Sequence, residues 1–535
     1  MVATRQPATT VGPDAPLRRS PLLTWTIGLV VLLPPLTQVA YLVLKDRSAW
    51  PYLFADDAYY YLGVARSIGG GDGSTFSGLT ETNGYHPLWT LVLAAVAAVV
   101  RDPYALVAAV VLLQGLLWAL LVREAVRIGR HLGSEVAAVL GLAALGVLAV
   151  ITGQLSFSAM ESAPLLVLLM VAIRRLVELP QEDARRAELH LGVVLALVCL
   201  TRLDAALTVG PLALVAALRG RPALPSLVRR SVRLLGPTAV SLAVYLALNL
   251  SLFDTATPVS GQAKALGGPF RNMRPVEQFL QAGQVGERPL WLGAGALLLC
   301  AVAYVAGDWR EALPQRRLMA CIGCLLAGQA LLLTYLVVAT SYRVWAWYFY
   351  GIALTAFCAA TLVGGALVRR LGGHGRRICL AAGIGFAVLQ IPATFFSGLS
   401  HTPRATETAE FLEADLPSDA VIAMGDRAGL VGYLVDRPML QLEGLMADAR
   451  WLHDLEDGTA LERMEEEGVD YYVWSGWVSG RQIVVDGAPC LVFTEPRAGD
   501  GPKFQVTVCE SDQVFSTGEG HDQFNVWRYR PELNG

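Results

Sequence analysis

Long apolar runs separated by clusters of arginine are the feature that most restricts the fold of this 535-residue chain. A membrane-spanning helix needs about 20 mainly apolar residues, and the first such run covers residues 22–44. Apolar residues form 54% of the chain and charged residues only 16%, whereas a soluble globular protein has about 25% charged residues. One aqueous core would not need so many apolar residues. The sequence therefore predicts a multi-pass helical membrane protein.

Charge divides the chain into two parts. Before Ser400 there are 32 Lys and Arg against 20 Asp and Glu, and from Ser400 onward there are 10 against 25. The net charge of −3 excludes a nucleic-acid-binding protein held by phosphate contacts. We predict a cytoplasmic N-terminal segment at 1–21, a transmembrane domain at 22–399 and a soluble extracytoplasmic α/β domain at 400–535.

The arginine clusters also predict an orientation, because cytoplasmic loops of membrane proteins collect Lys and Arg. The run at 22–44 is too long for a cleaved signal peptide and predicts a signal anchor with a cytoplasmic N-terminus. The apolar run at 86–100 is short and predicts a half-helix or an interfacial segment. The basic loops predicted inside cover 123–131, 174–186, 219–233, 310–317 and 369–377. The eleven predicted spans cover 22–44, 104–122, 134–152, 161–179, 187–200, 205–218, 232–253, 289–306, 317–339, 346–368 and 377–397.

The acidic tail then lies outside, and its alternation of apolar residues predicts helices and strands. Predicted helices cover 406–416, 445–455 and 459–467, and predicted strands cover 421–424, 469–474, 482–485, 490–493, 504–508 and 524–529. Cys490 and Cys509 lie in two of these strands. An oxidising outer face favours a disulfide between them. The other six cysteines lie in or beside apolar runs, where cysteine acts as a small hydrophobic residue.

The first outward loop, residues 45–86, contains two adjacent aspartates, Asp56 and Asp57. Apolar residues at helical spacing over 56–68 predict a short amphipathic helix lying on the membrane, ended by the glycines at 69–71. One aspartate would cap this helix. A second carboxylate beside it raises one of the two pKa values, which suits a general base. The pair therefore predicts a catalytic or binding role.

Five segments together resemble the GT-C glycosyltransferases, which are multispanning enzymes that use lipid-phosphate-linked sugars. The Asp-Asp pair after the first span is the most specific of them. The other four are Ser-Ala-Met-Glu-Ser at 158–162, Leu-Thr-Arg-Leu-Asp at 200–204, Pro-Val-Ser-Gly-Gln-Ala-Lys at 258–264 and the Gly-Asp turn opening 425–433. The segment at 158–162 resembles a Gly-Met-Glu-Thr signature, with Ala159 in place of glycine. The nearest group is the bacterial arabinofuranosyltransferase-like and mannosyltransferase-like enzymes.

The resemblance implies a hexosyl- or pentosyltransferase of the bacterial plasma membrane. Its donor is a polyprenyl-phosphate-linked sugar, and its acceptor is a glycan, lipid or protein outside the cytoplasm. Asp56 would be the general base, and Asp57 would orient it or hold the acceptor. Candidate substrate-binding residues are Glu81, Asn83, His86, Glu161, Arg202, Lys264, Arg343 and Tyr348.

Several alternatives to these roles stay open from the sequence. Arg202 would instead form an ion pair with Asp204 or Glu161, and Arg343 would reach the membrane interface as a snorkelling residue. Glu81, Asn83 and His86 would form a polar interfacial loop, and Tyr348 would belong to an aromatic belt.

The sequence gives no feature that requires a cofactor, and it assigns no metal ligands. A divalent metal stays open, because two carboxylates could hold one, although the sequence does not identify three or more oxygen ligands. For the whole chain, the alternatives are a transporter or lipid flippase, which needs polar groups near the bilayer midplane, and a non-catalytic envelope scaffold.

Overall fold

The structure is a computed structural model that describes residues 21–152, 157–182, 184–268, 287–306, 309–310, 312–342, 345–396 and 402–534. Up to residue 396 the described elements are helices. These are α1 Pro21–Leu44, α2 Asp56–Gly70, α3 Pro87–Ala97, α4 Pro103–His131, α5 Glu135–Thr152, α6 Ser162–Glu178, α7 Arg185–Thr201, α8 Ala206–Leu218, α9 Leu224–Phe253, α10 Val259–Ala265, α11 Glu287–Ala306, α12 Leu313–Ala339, α13 Tyr350–Leu371 and α14 Gly373–Phe396.

Apolar helices of membrane-spanning length confirm a multi-pass membrane protein. Among the described residues, five helices are long and apolar enough to cross a membrane: Pro21–Leu44, Pro103–His131, Leu224–Phe253, Leu313–Ala339 and Trp347–Leu371. Helix α3 has 11 residues. That is a length of about 16 Å, too short for a hydrocarbon core of about 30 Å. The total of eleven spans and the orientation of the termini stay predictions.

All five predicted basic loops overlap helices, and the prediction of a loop is wrong over the helical residues. Helix α4 continues through the predicted loop 123–131, and α9 begins at Leu224, inside the predicted loop 219–233. Arginine is a good helix former, so each helix extends past its apolar run. The arginines at these ends are bound by buried acids: Glu188 lies 2.8 Å from Arg233 and forms a second ion pair with Arg219.

Helix α2 has nearly the predicted bounds and ends at Gly71, whose φ of 91° is left-handed. The prediction that it lies on the membrane surface is wrong, because every residue from Ala58 to Ala65 is buried. On one side it packs against α3, and on the other against a helix of the C-terminal region. The first outward loop thus lies between the helical bundle and the C-terminal region.

The C-terminal region is an α/β unit with two sheets. The first has the order β2-β1-β3-β8-β7, in which β1 is parallel to β2 and β3 and antiparallel pairs join β8 to β3 and β7. The second is the antiparallel sheet β4-β5-β6. The strands are β1 Val421–Met424, β2 Met439–Gln441, β3 Val469–Ser475, β4 Arg481–Val485, β5 Ala488–Glu495, β6 Phe504–Cys509, β7 Gln513–Thr517 and β8 Phe524–Arg528. The helices are α15 Thr402–Asp415, α16 Ala428–Leu434, α17 Ala449–Asp457 and α18 Ala460–Glu466.

This region contains the predicted strands, each overlapping β1, β3, β4, β5, β6 or β8. Elements β2, β7 and α16 are absent from the prediction because they are short and lack clear alternation. Cys490 and Cys509 lie opposite each other in β5 and β6 and are joined by a disulfide.

Polar and aromatic contacts attach the C-terminal region to the first outward loop. The Tyr433 carbonyl oxygen accepts a hydrogen bond from Arg66 at 2.7 Å, and the Tyr433 hydroxyl donates to the Pro103 carbonyl oxygen at 2.6 Å. The ring of Tyr433 lies 5.2 Å from that of Tyr59. Gly84 approaches Leu445 so closely that a Cβ at position 84 would overlap the Leu445 carbonyl oxygen. The C-terminal region therefore packs directly against α2 and covers it.

Candidate active site

The aspartate pair occupies the first turn of α2 without capping it. Ala55 is the N-cap residue and makes no side-chain cap hydrogen bond. The Asp56 carboxylate instead accepts two backbone hydrogen bonds from the C-terminal region, 3.0 Å from the Gly429 nitrogen and 2.9 Å from the Leu430 nitrogen. The two N–H groups orient the carboxylate and leave lone pairs on both oxygens.

The pKa of Asp56 is raised to about 7, because burial and the neighbouring Asp57 carboxylate together outweigh the two backbone hydrogen bonds, which lower it. Burial raises the pKa of Asp57 to about 6 against the attraction of Lys264, with Asp426 and Glu161 as additional repelling charges. Loss of hydration disfavours the charged form of a carboxyl group. Both carboxyl groups thus have pKa values close to neutral pH, where a general base works best.

Arg202 belongs to a buried ion-pair network that includes Glu161, the carboxylate that acts electrostatically on Asp57. Its guanidinium donates to Glu161 at 2.7 Å and forms a two-point bond with Asp204 at 2.7 and 2.9 Å. Only 1% of Arg202 is exposed, and its Cζ atom lies 4.2 Å from the ring centre of Tyr348. Two carboxylates thus compensate one guanidinium. Within the described part of the chain, the Glu161 Oε2 atom is buried and has no hydrogen-bond partner.

Lys264, at the end of α10, lies near the same groups: it contacts Tyr348, as Arg202 does, and interacts electrostatically with Asp57. Its ammonium lies 3.4 Å from the Tyr348 hydroxyl, and across the described ranges it forms no ion pair. Asp57 and Tyr348 raise the pKa of Lys264 against the effect of burial, so the ammonium is charged. Lys264 is therefore available to bind an anion, whereas Arg202 is already paired.

The remaining predicted site residues have different surroundings. His86 lies 4.0 Å from Glu161 through Nε2, and burial lowers its pKa, so it is neutral at pH 7. Glu81 is exposed and forms a backbone bridge with Thr75. Arg343 lies outside the described residues.

Asn83 is buried and bonded on both sides of its amide. It donates to Asn249 at 2.8 Å and accepts from the Val259 nitrogen at 2.9 Å. Val259 is the first residue of α10. Asn83 therefore positions the helix that carries Lys264.

The sequence did not assign a role to the C-terminal residues that meet the aspartates. Besides the amides of Gly429 and Leu430, Asp426 acts electrostatically on both aspartates. Burial, together with Asp426 and Asp57, raises the pKa of Glu443 well above its usual range. The Gly-Asp turn at 425–426 was the available signal. Across the described ranges, no group of three or more His, Cys, Asp or Glu side chains could hold a metal ion.

The Arg202 network makes a stability prediction. Replacing Arg202 with Met leaves two carboxylates without their buried partner, and removing one member of a buried ion pair costs about 3–5 kcal/mol. We expect that loss in the free energy of unfolding, measured by denaturant titration in mixed micelles. Arg101→Met is the control, because Arg101 is exposed and unpaired among the described residues. A loss below about 1 kcal/mol for Arg202→Met would contradict a structural network.

Comparison with known proteins gives a likeness in fold. No protein-family model matches the sequence, and no curated protein matches it. ArnT from Cupriavidus metallidurans bound to undecaprenyl phosphate aligns over 95% of this chain and 99% of its own, with a TM-score of 0.51 and 12% identity. The same protein in the apo state aligns over 96% and 100%, with the same score and identity. The oligosaccharyltransferase of Archaeoglobus fulgidus, in complex with Zn and sulfate, aligns over 84% and 67% at a TM-score of 0.44 and 12% identity, too distant to support an inference.

The ArnT likeness extends from the helical bundle through the C-terminal region. The predicted architecture, several apolar helices followed by a C-terminal β-sheet domain, is confirmed and matches the fold of ArnT. At this identity the likeness concerns the fold alone.

Proposed function

We propose that this chain is a membrane glycosyltransferase that moves a sugar from a polyprenyl-phosphate donor to an acceptor hydroxyl outside the cytoplasm. The observation that carries the proposal is the buried aspartate pair beside Lys264: Asp56 is held by the C-terminal region, and Asp57 interacts electrostatically with Lys264, which forms no ion pair among the described residues. A carboxylate base and a separate cation are the two groups that this transfer needs. ArnT, which shares the fold, was solved with undecaprenyl phosphate, a lipid of the class we propose.

The proposed roles follow from the contacts. Asp56 removes the proton from the acceptor hydroxyl while the hydroxyl oxygen bonds to C1 of the sugar. The bond between C1 and the phosphate oxygen breaks, and its electron pair leaves with the polyprenyl phosphate. Lys264 then binds the added negative charge. Asp57 holds Lys264 and the acceptor in place.

Glu161 and His86 are proposed to contact sugar hydroxyls, because the free Glu161 Oε2 atom lacks a donor among the described residues. Within this class we infer a pentosyl or hexosyl donor, as in the arabinofuranosyltransferase-like and mannosyltransferase-like enzymes that the motifs resemble. The acceptor is a glycan or lipid of the cell envelope.

The raised pKa of Asp56 predicts the pH dependence of transfer. A base works only when deprotonated, so kcat/KM should fall as the pH drops below about 7. Asp57, with a pKa of about 6, steepens the decline below that pH. An ordinary aspartate would keep its charge down to about pH 4. Initial rates at constant ionic strength check this, and a flat profile down to about pH 5 would exclude Asp56 as the base.

The proposed function is tested with purified protein in liposomes that contain a panel of radiolabelled polyprenyl-phosphate sugars and an envelope acceptor extract. We expect acceptor-dependent release of free polyprenyl phosphate with the label moving to the acceptor. The Asp56→Asn/Asp57→Asn double variant is the protein-containing control. Movement of intact donor across the bilayer without cleavage would overturn the proposal in favour of a flippase. Loss of a cellular phenotype on deletion of 402–535, without any transfer by the wild type, would favour a scaffold.

A further inference from the structure

A second candidate binding site lies in the C-terminal region, away from the aspartate pair. It is a groove of about 640 Å³, within the range of about 300–1,000 Å³ that is usual for ligand pockets. Strands β7 and β8 and part of β5 form its walls. The polar residues that line it are Glu510, Gln513, Ser516, Gln523 and Asn525. None of the aspartates, Lys264 or Arg202 lines it.

Two buried hydrogen-bond donors in this groove have no acceptor among the described residues. The Asn525 Oδ1 atom accepts from Gln513 at 2.9 Å and from Gln523 at 3.3 Å, which fixes the amide so that Nδ2 is the free end. Asn525 Nδ2 and the indole nitrogen of Trp527 have no partner, although each residue is only 1% exposed. Buried donors are nearly always paired with protein, water or ligand. Both donors belong to the wall of the groove, and a molecule that enters it would first meet the exposed side chains of Gln513 and Ser516.

Apolar side chains lie beside these donors on the surface of the region. Trp477 is 59% exposed, and its ring stacks on His521 with centroids 4.8 Å apart. Its neighbour Val478 lines the groove and is 38% exposed. A β-bulge in β7 between Gln513 and Phe515 turns this edge strand, as bulges do at binding sites. The Trp477 indole, stacked on His521, therefore presents a flat, exposed apolar face next to the polar groove.

The charge of the lining disfavours a phosphate ligand, because within the described ranges it contains an acidic residue and no Lys or Arg. Glu510 is its one charged residue among those described, and the amides of Gln513, Gln523 and Asn525 are neutral groups that both donate and accept. A sugar ring matches this lining, because it has hydroxyls around its edge and C–H groups on its faces. We propose that the groove binds a saccharide chain of the acceptor, at a distance from the hydroxyl that reacts. This inference rests on the proposed function only for the source of the saccharide.

The test measures saccharide binding without transfer. The full chain in nanodiscs is screened against an array of defined di- to hexasaccharides, and the ligand found is titrated by calorimetry. We expect Trp477→Ala and Gln513→Ala each to weaken binding about tenfold or more, equivalent to about 1.4 kcal/mol. Val484→Ala is the matched control, because Val484 is an exposed residue of the same region that does not line the groove. It should bind as the wild type does.

The outcomes separate this inference from the proposed function. Asp57→Asn should lose transfer and keep saccharide binding. If the wild type binds no saccharide, or if both groove variants bind as the wild type does, the groove proposal is overturned even when transfer occurs. If Asp57→Asn abolishes binding, the saccharide occupies the aspartate site and the groove proposal is also overturned. Transfer by Asp57→Asn at the wild-type rate would count against the proposed function and leave the groove result standing.

Discussion

Replacing Asp56 with Asn is expected to lower kcat for sugar transfer by about 10²–10⁴-fold, the contribution of a general base. The carboxylate that accepts the Gly429 and Leu430 N–H groups is the same one that must take a proton from the acceptor. The two N–H groups bind different carboxylate oxygens, and an amide has an NH₂ group in place of one of them, so one of these bonds is lost and the side chain cannot remove a proton. The measurement is single-turnover transfer in liposomes, which separates chemistry from binding.

The control for this variant is Asp72→Asn. Asp72 belongs to the same outward loop, is exposed and forms no side-chain bond among the described residues, so its charge should not matter. Thermal unfolding of Asp56→Asn must be compared with that of the wild type, because the new NH₂ group faces a backbone N–H. A correctly folded Asp56→Asn protein that keeps more than about a tenth of the wild-type kcat would show that another group is the base.

The helical periodicity of the first outward loop predicted α2 and its glycine end from the sequence, because both depend on residues close together in the chain. The partners of Asp56 could not be predicted, since Gly429 and Leu430 lie 373 and 374 residues away. The same distance along the sequence explains why the prediction that α2 lies on the membrane surface was wrong. Its tyrosines suit a membrane interface equally well, and only the docked C-terminal region buries them.

Ala159 has a backbone conformation that is unusual for an alanine. Glycine is usual at this position of the signature, and Ala159 has a φ of 58°, in the left-handed region that glycine adopts freely. The Trp89 indole donates to the Ala159 carbonyl oxygen at 2.8 Å and holds this turn beside Glu161. The chain therefore holds a left-handed backbone conformation at an alanine, at a cost of about 1–2 kcal/mol.

Gly429→Ala is expected to lower kcat by about 10²-fold although both aspartates remain. A Cβ at position 429 would lie 2.7 Å from Asp56 Oδ2 and closer still to the Asp56 backbone oxygen, so the carboxylate or α16 must move. A displacement of about 1 Å in a catalytic group costs about 10²-fold. Gly323→Ala is the matched control, because a Cβ there meets no atom within 4 Å. Acceptor-dependent transfer is measured for both variants.

The pH profile of Gly429→Ala distinguishes a displaced base from general damage. The backbone hydrogen bonds of Gly429 and Leu430 lower the pKa of Asp56, so weakening them should move the midpoint of kcat/KM above the wild-type value of about 7. A loss of folding would reduce the rate equally at every pH and leave the midpoint in place. A variant with unchanged kcat and an unchanged midpoint would mean that the C-terminal region does not position Asp56. The carboxylate would then have to be oriented by the substrate itself.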